Sequence, residues 1–148
     1  MECLGGNGYV EESMLPRLYR EAPVNAIWEG SGNVMCLDVL RALGQDREAA
    51  RAPLAALAEE AADLPDARAT LDFIARAVAA EDAEGEARAA VDRLALLAAA
   101  ASLRQSAPEV ADLFARTRLE DGHGAMYGTS RIAFDEARRL IERALPQA

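Results

Sequence analysis

Glu29 lies in the run Asn25-Ala26-Ile27-Trp28-Glu29-Gly30-Ser31-Gly32-Asn33, one carboxylate between an apolar stretch and a glycine-rich turn. A carboxylate flanked by Ile27 and Trp28 is expected to lose water on one side, and desolvation favours its protonated form. A glutamate placed that way is a general base suited to taking a proton from a carbon next to a carbonyl. The glycines let the backbone come close to a flat or charged ligand. The same residues also read as a helix entry, with Ser31 or Asn33 capping a helix that starts near Val34.

The elements that must position this carboxylate are helical. Leucine and alanine dominate, and runs of Val, Ile and Thr are missing, so strands are not expected. Residues 5–16 read as loop and 17–22 as a short helical turn broken by Pro23. The pattern predicts a helix over 34–43 stopped by Gly44, and a second over 46–63. In the latter, Leu54, Leu57, Ala58, Ala61 and Leu64 share a face, and Pro53 marks its first turn or a kink. Residues 66–80 carry Leu71, Ile74, Ala75 and Val78 on one side. An acidic break over 81–85 precedes the strongest helix, 86–105, with Val91, Leu94, Leu97, Ala98 and Ala101 in register. Ser106-Ala107-Pro108-Glu109 has the pattern of a capping box. It opens a helix with Val110, Leu113, Phe114 and Thr117, followed by a loop over 120–130. The last segment, 131–145, places Ala137, Leu140, Ile141 and Ala144 inward. The fold class is therefore all-α, a helical bundle. Its interfaces are rich in alanine, so helices approach closely but each contact buries little. The first 43 residues leave an apolar face that needs a partner.

Composition removes several function classes. The 148 residues carry a net charge of −9, all 16 basic residues being arginine. So acidic a chain is a poor general ligand for nucleic acid or anionic membranes, since phosphate contacts need cations. No run of eighteen apolar residues predicts a membrane span, and the start has no signal-peptide pattern. Cys3 and Cys36 lack metal or redox spacing and are expected as buried, reduced thiols in the cytoplasm, and no metal site is expected.

Three separated motifs now combine. Glu2-Cys3-Leu4-Gly5-Gly6-Asn7-Gly8-Tyr9 is followed by Leu15-Pro16-Arg17-Leu18-Tyr19-Arg20-Glu21-Ala22 and then by Trp28-Glu29-Gly30-Ser31. In order and spacing, residues 1–43 resemble the C-terminal domain of acyl-CoA dehydrogenases. There a Gly-Gly-x-Gly turn precedes an arginine-acid pair and an aromatic-Glu-Gly-Thr turn. The Trp-Glu-Gly-Ser-Gly-Asn wording and the further hundred or so residues are similar to the alkylation-response, AidB-like branch. The resemblance implies a domain end over residues 1–45 and a helical C-terminal extension over 46–148. It implies FAD as cofactor and an acyl-CoA or related thioester as substrate. Glu29 then corresponds to the base that removes the α-proton, and its backbone N–H to a donor for the thioester carbonyl. Ser31 and Asn33 correspond to flavin contacts. Gly5, Gly6 and Gly8 correspond to a turn on the dinucleotide part of FAD, supplied in this family by a neighbouring subunit, so a homo-oligomer is expected. The family's upstream flavin-binding domains, or a partner chain bearing them, would complete the site. Glu2 stands where many members have a donor glutamine, and an ionised carboxylate cannot donate. Trp28 in place of tyrosine crowds the acyl pocket.

The remaining features are weaker. His123 is the single histidine, in a polar glycine loop, and neighbouring Asp121 lacks the alternating oxygens of a calcium loop. Arg116, Arg118, Arg131, Arg138, Arg139 and Arg143 gather late in the chain, where an AidB-like role at DNA is the functional alternative. Glu120, Asp121, Asp135, Glu136 and Glu142 interleave with them, and a solvated, ion-paired face is the favoured reading. Arg17 and Arg20 are placed for structural salt bridges.

Overall fold

The computed structural model describes residues 1–45, 47–120, 126 and 128–145. Among them the chain is all-α: α1 (Leu15–Glu21), α2 (Gly32–Gln45), α3 (Arg47–Glu60), α4 (Ala67–Ala79), α5 (Ala83–Ser106), α6 (Pro108–Arg118) and α7 (Phe134–Ala144). Two 3₁₀ segments, Glu2–Gly8 and Ala22–Ala26, flank α1.

α5 is the axis of the bundle. It packs extensively on α4 and α6, and on its other side against α2. The reason is legible in its side chains. Ala87, Ala90, Leu97, Ala100 and Ala101 are buried, so three neighbours can approach its backbone closely. The core gathers Ala61 and Leu64, Ala67 of α4, Leu97, Ala100 and Ala101 of α5, and Ala111, Ala115 and Leu119 around α6. Each alanine contributes little apolar area, and burial is worth roughly 25 cal/mol per Å². Leu97 and Leu119 are the largest fully buried side chains and so carry a disproportionate share. Arg93 on α5 donates to the carbonyl of Leu119 at 2.6 Å, tying α5 to the end of α6. Arg104 pairs with Asp63 across α5 and the α3–α4 turn.

Several expected boundaries shift for local reasons. Gly5–Gly8, expected in a loop, belong to a 3₁₀ segment kinked at Gly5, and α1 begins at Leu15 with Pro16 in its first turn. Gly44 does not stop α2, which runs on to Gln45. Pro53 lies inside α3, and that helix ends at Glu60, earlier than expected. Asp66 follows Pro65 with φ 54° and turns the chain into α4. α5 begins at Ala83 because the Asp82 side chain accepts from the Gly85 N–H at 3.1 Å, so the acidic stretch caps the helix and does not break it. Ser106 ends α5 and does not cap α6; Ala107 occupies that position with no side-chain bond. Ala98 and Ala75, expected inward, are exposed, whereas Ala67, Thr70 and Ala77 complete the buried face of α4.

α7 is held differently from the other helices. Ile141 and Ala144, expected inward, are exposed, and Leu140 is half-buried. The helix is fastened mainly by charge. Glu136 accepts from the Ala133 N–H at 2.9 Å, satisfying the helix entry, and its other oxygen meets Arg116 of α6 at 2.6 Å. Arg139 pairs with Glu109 at the start of α6. Arg116 also bonds Asp112, and that bond, together with the Glu136 pairing, raises the guanidinium's affinity for its proton. The Coulomb attraction of Glu109 does the same for Arg139.

The register of α5 is testable. Leu97→Ala removes a fully buried side chain and is expected to cost about 2–5 kcal/mol of unfolding free energy. Ala98→Ser, one residue on, should change it by less than about 0.5 kcal/mol. Urea unfolding followed by circular dichroism separates the two.

Candidate functional site

The turn at Glu29 is built between two helical pieces. The 3₁₀ segment Ala22–Ala26 closes with Ile27 and Trp28, whose N–H groups donate to the Val24 carbonyl at 3.0 and 3.1 Å. The chain then reverses through Glu29, with φ 60°, and Gly30, with φ 122°, before Ser31 accepts from Met35 at the start of α2. An L-residue in the left-handed region costs roughly 1–2 kcal/mol, so Glu29 sits in a strained position that glycine would take freely. Gly30 could not be replaced there without strain, and a Cβ would also press the Met35 sulfur at 2.8 Å.

Glu29 is exposed, and so are Ile27 (65%) and Trp28 (57%). The expected shielding by these two neighbours is therefore not provided within this chain. Their apolar groups point to open surface, and any desolvation of the carboxylate must come from what covers them. Ser31 and Asn33 are exposed as well, and neither side chain makes a hydrogen bond among the described residues. The Glu29 N–H likewise finds no acceptor among them. A free carboxylate, a free amide donor, a hydroxyl and a carboxamide thus lie within five successive positions.

Gly5, Gly6 and Gly8 form a separate feature. The 3₁₀ segment folds back so that Leu4 donates to the Met1 carbonyl at 3.0 Å. Gly8 is buried against the Met1 backbone, where an added Cβ would stand 2.4 Å from the carbonyl oxygen. Gly5 and Gly6 are exposed with open space beside them. The α2–α3–α4 cleft, a groove along α6–α7 and a third between α2 and the first turn of α5 are lined by none of these glycines nor by Glu29, Ser31 or Asn33. Within one chain the two motifs remain two surfaces.

The arginine-acid pair has a structural role. Arg20 holds Glu11 at 2.7 Å and Arg17 holds Glu21 at 2.9 Å. The hydrogen bond from Arg20 lowers the proton affinity of the Glu11 carboxyl. Sequence reasoning missed Arg88. Packing of α2 on α5 brings its guanidinium to the turn, 3.5 Å from a Cβ placed on Gly32. Nothing local in the sequence signals this, because the two positions meet only through the tertiary contact. Among the described residues, three of the six late arginines are paired: Arg116 with Asp112 and Glu136, Arg138 with Glu142, Arg139 with Glu109 and Asp135. His123 and Asp121 lie outside the described residues. No cluster of metal-ligating side chains occurs among the described residues.

The segment before α2 exposes many large apolar side chains. Leu4, Tyr9, Met14, Leu18, Tyr19 and Val24 are exposed in addition to Ile27 and Trp28. α1 packs on the 3₁₀ segment after it and not extensively on the bundle.

Residues 1–44 match the family profile of the acyl-CoA dehydrogenase C-terminal domain. Over 45 residues, 30% of this chain, the sequence is 78% identical to AidB of Escherichia coli (strain K12), which carries an acyl-CoA dehydrogenase name. Over 41 residues, 28% of the chain, it is 58% identical to acyl-CoA dehydrogenase family member 11 of Caenorhabditis elegans. The matches cover 8% and 7% of those two proteins, so the chain spans under a tenth of the length of the curated relatives it matches.

The strain at Glu29 has a measurable signature. Glu29→Gly should stabilise the chain by about 0.5–1 kcal/mol, the relief of the left-handed backbone less the extra freedom of the unfolded glycine. Glu29→Ala should bring no such gain. Thermal unfolding of the two variants beside the parent checks it.

Proposed function

We propose, on the premise that residues 1–44 belong to the acyl-CoA dehydrogenase family in its AidB-like branch, that this chain supplies the base-bearing end of a flavin-dependent acyl-CoA dehydrogenase site. Residues 1–45 form the end of the flavin and substrate domain, and 46–148 form a helical extension. The observation that carries the reading is the Glu29 turn, a strained, exposed carboxylate whose own amide N–H is free beside it. Strained non-glycine residues concentrate where function requires a fixed geometry.

The chemistry follows from these groups. Glu29 takes the α-proton of an acyl thioester. Its N–H meets the thioester carbonyl, where charge develops as that proton leaves. FAD would supply the acceptor for the β-hydride, so that loss of the α-proton and β-hydride leaves a carbon–carbon double bond. Ser31, by its hydroxyl, and Asn33, by its carboxamide, would hold the flavin, and both have free polar groups suited to that. Gly5, Gly6 and Gly8 would meet the dinucleotide portion of a flavin in a second subunit of a homo-oligomer. The exposed Gly5 and Gly6 fit a close backbone approach, while buried Gly8 shapes the segment. Glu2 fits this contact less well, since its carboxylate accepts and does not donate. The apolar surface of residues 4–28 would be covered by the family's other domains, and that cover would supply the desolvation that Glu29 lacks here. The setting is the cytoplasm. No described helix is long and apolar enough to cross a membrane. The alternative, a DNA-associated protection role, is disfavoured by the chain's net charge of −9, since phosphate contacts need cations.

The test is Glu29→Gln in the flavin-loaded assembly that contains this chain. Reduction of the flavin by an acyl-CoA, read as bleaching of its visible absorption, should slow by about 10²–10⁴-fold. The flavin spectrum of the resting protein should be unchanged. Full-speed reduction by the variant would remove Glu29 as the base.

A further inference from the structure

The bundle is filled at one end and open at the other. Ala61, Leu64 and Ala67 bring α3 and α4 together in the core. Pro53, which has no N–H to give, lies midway along α3. Between α2, α3, α4 and the first turn of α5 lies a cleft of about 660 Å³. Leu43, Leu54, Leu71, Ile74 and Val78 form its walls. The volume falls in the roughly 300–1,000 Å³ range of small-molecule sites. Water in such a space finds few polar partners, so an apolar occupant gains by displacing it.

The rim carries two cations. Arg51 of α3 and Arg68 of α4 line the cleft with their side chains mostly in solvent, and each has one exposed carboxylate partner, Glu48 and Asp72, so the rim is balanced in charge until those pairs open. Arg51 meets Glu48 at 3.3 Å and Arg68 meets Asp72 at 3.3 Å, exposed pairs of the kind that contribute little and exchange readily. Both guanidiniums are therefore available to an arriving anion, while their aliphatic stems extend the apolar wall.

We propose that this cleft binds a single-chain anionic amphiphile, a long-chain carboxylate, with its tail among Leu54, Leu71, Ile74 and Val78 and its head between Arg51 and Arg68. The site is separate from the Glu29 turn and does not depend on its assignment.

Titration calorimetry of the full 148-residue chain with sodium laurate, kept below its micellar concentration, tests the proposal. One molecule should bind per chain. Ala75→Trp, which fills the cleft from α4, should abolish binding; should that variant fail to fold by circular dichroism, Ala58→Met fills it from α3. Arg51→Glu combined with Arg68→Glu should weaken laurate at least tenfold and dodecanol less than twofold. Three results would overturn the assignment. One is laurate affinity indifferent to these changes. Another is a cleft closed by a second copy, seen as a concentration-dependent mass without laurate binding. The third is association with phosphatidylglycerol vesicles in place of one-to-one laurate binding.

Discussion

The close approach of α5 to its neighbours, allowed by alanine, governs the rest of the structure. Ala87, Ala90, Ala100 and Ala101 keep that helix slim, so α2, α4 and α6 can all pack against it. Small side chains fit without strain but remove little area from water. The main buried cluster is consequently compact and gathers where Ala61, Leu64, Leu97 and Leu119 meet. A bundle built on this principle has little apolar material to spare for its far end or for the segment preceding α2. The open α2–α3–α4 cleft and the uncovered apolar surface of residues 4–28 are two results of the same choice.

The Glu29 turn depends on that framework in a limited but definite way. α2 is fixed by α5, which fixes where Ser31 and Asn33 stand and brings Arg88 beside them. The framework does not bury Glu29. Its carboxylate is displayed, held at a backbone angle that favours glycine, and ringed by exposed Ile27, Trp28 and Val24. On the function proposed above, this turn is half of a site, whose polar groups are arranged by one piece of protein and whose dielectric would be set by another.

Much of this was legible in the chain. The helical class followed from the abundance of alanine and leucine, and the alternation of helix and break placed each helix to within a few residues. The faces of α3 and α6 followed from the spacing of Leu54, Leu57, Ala61 and Leu113. Helix ends were less legible. Asp82 accepting from Gly85 turns an apparent acidic break into a cap, and Ser106 was absorbed into α5 as its last residue. In α5 the period was clear but its phase was not, since alanine is compatible with either face; Ala100 is buried and Ala98 is not. The residues of the Glu29 motif could be read directly. Whether its apolar neighbours would shield it could not, because shielding is a property of three-dimensional cover and not of adjacency. Arg88 was invisible for the same reason.

α7 shows how one molecule can answer a single variable in two directions. Its attachment runs through Glu136, which serves both the helix entry and Arg116, and through Arg139 with Glu109. Added electrolyte screens such pairs within a few ångströms of solvent. The alanine-leucine core responds oppositely to sulfate or phosphate, which strengthen apolar burial. Concentrated kosmotropic salt therefore tightens α4, α5 and α6 while loosening the last helix from them. The same solution can raise the melting temperature of this protein and make its C-terminal end more open to a protease.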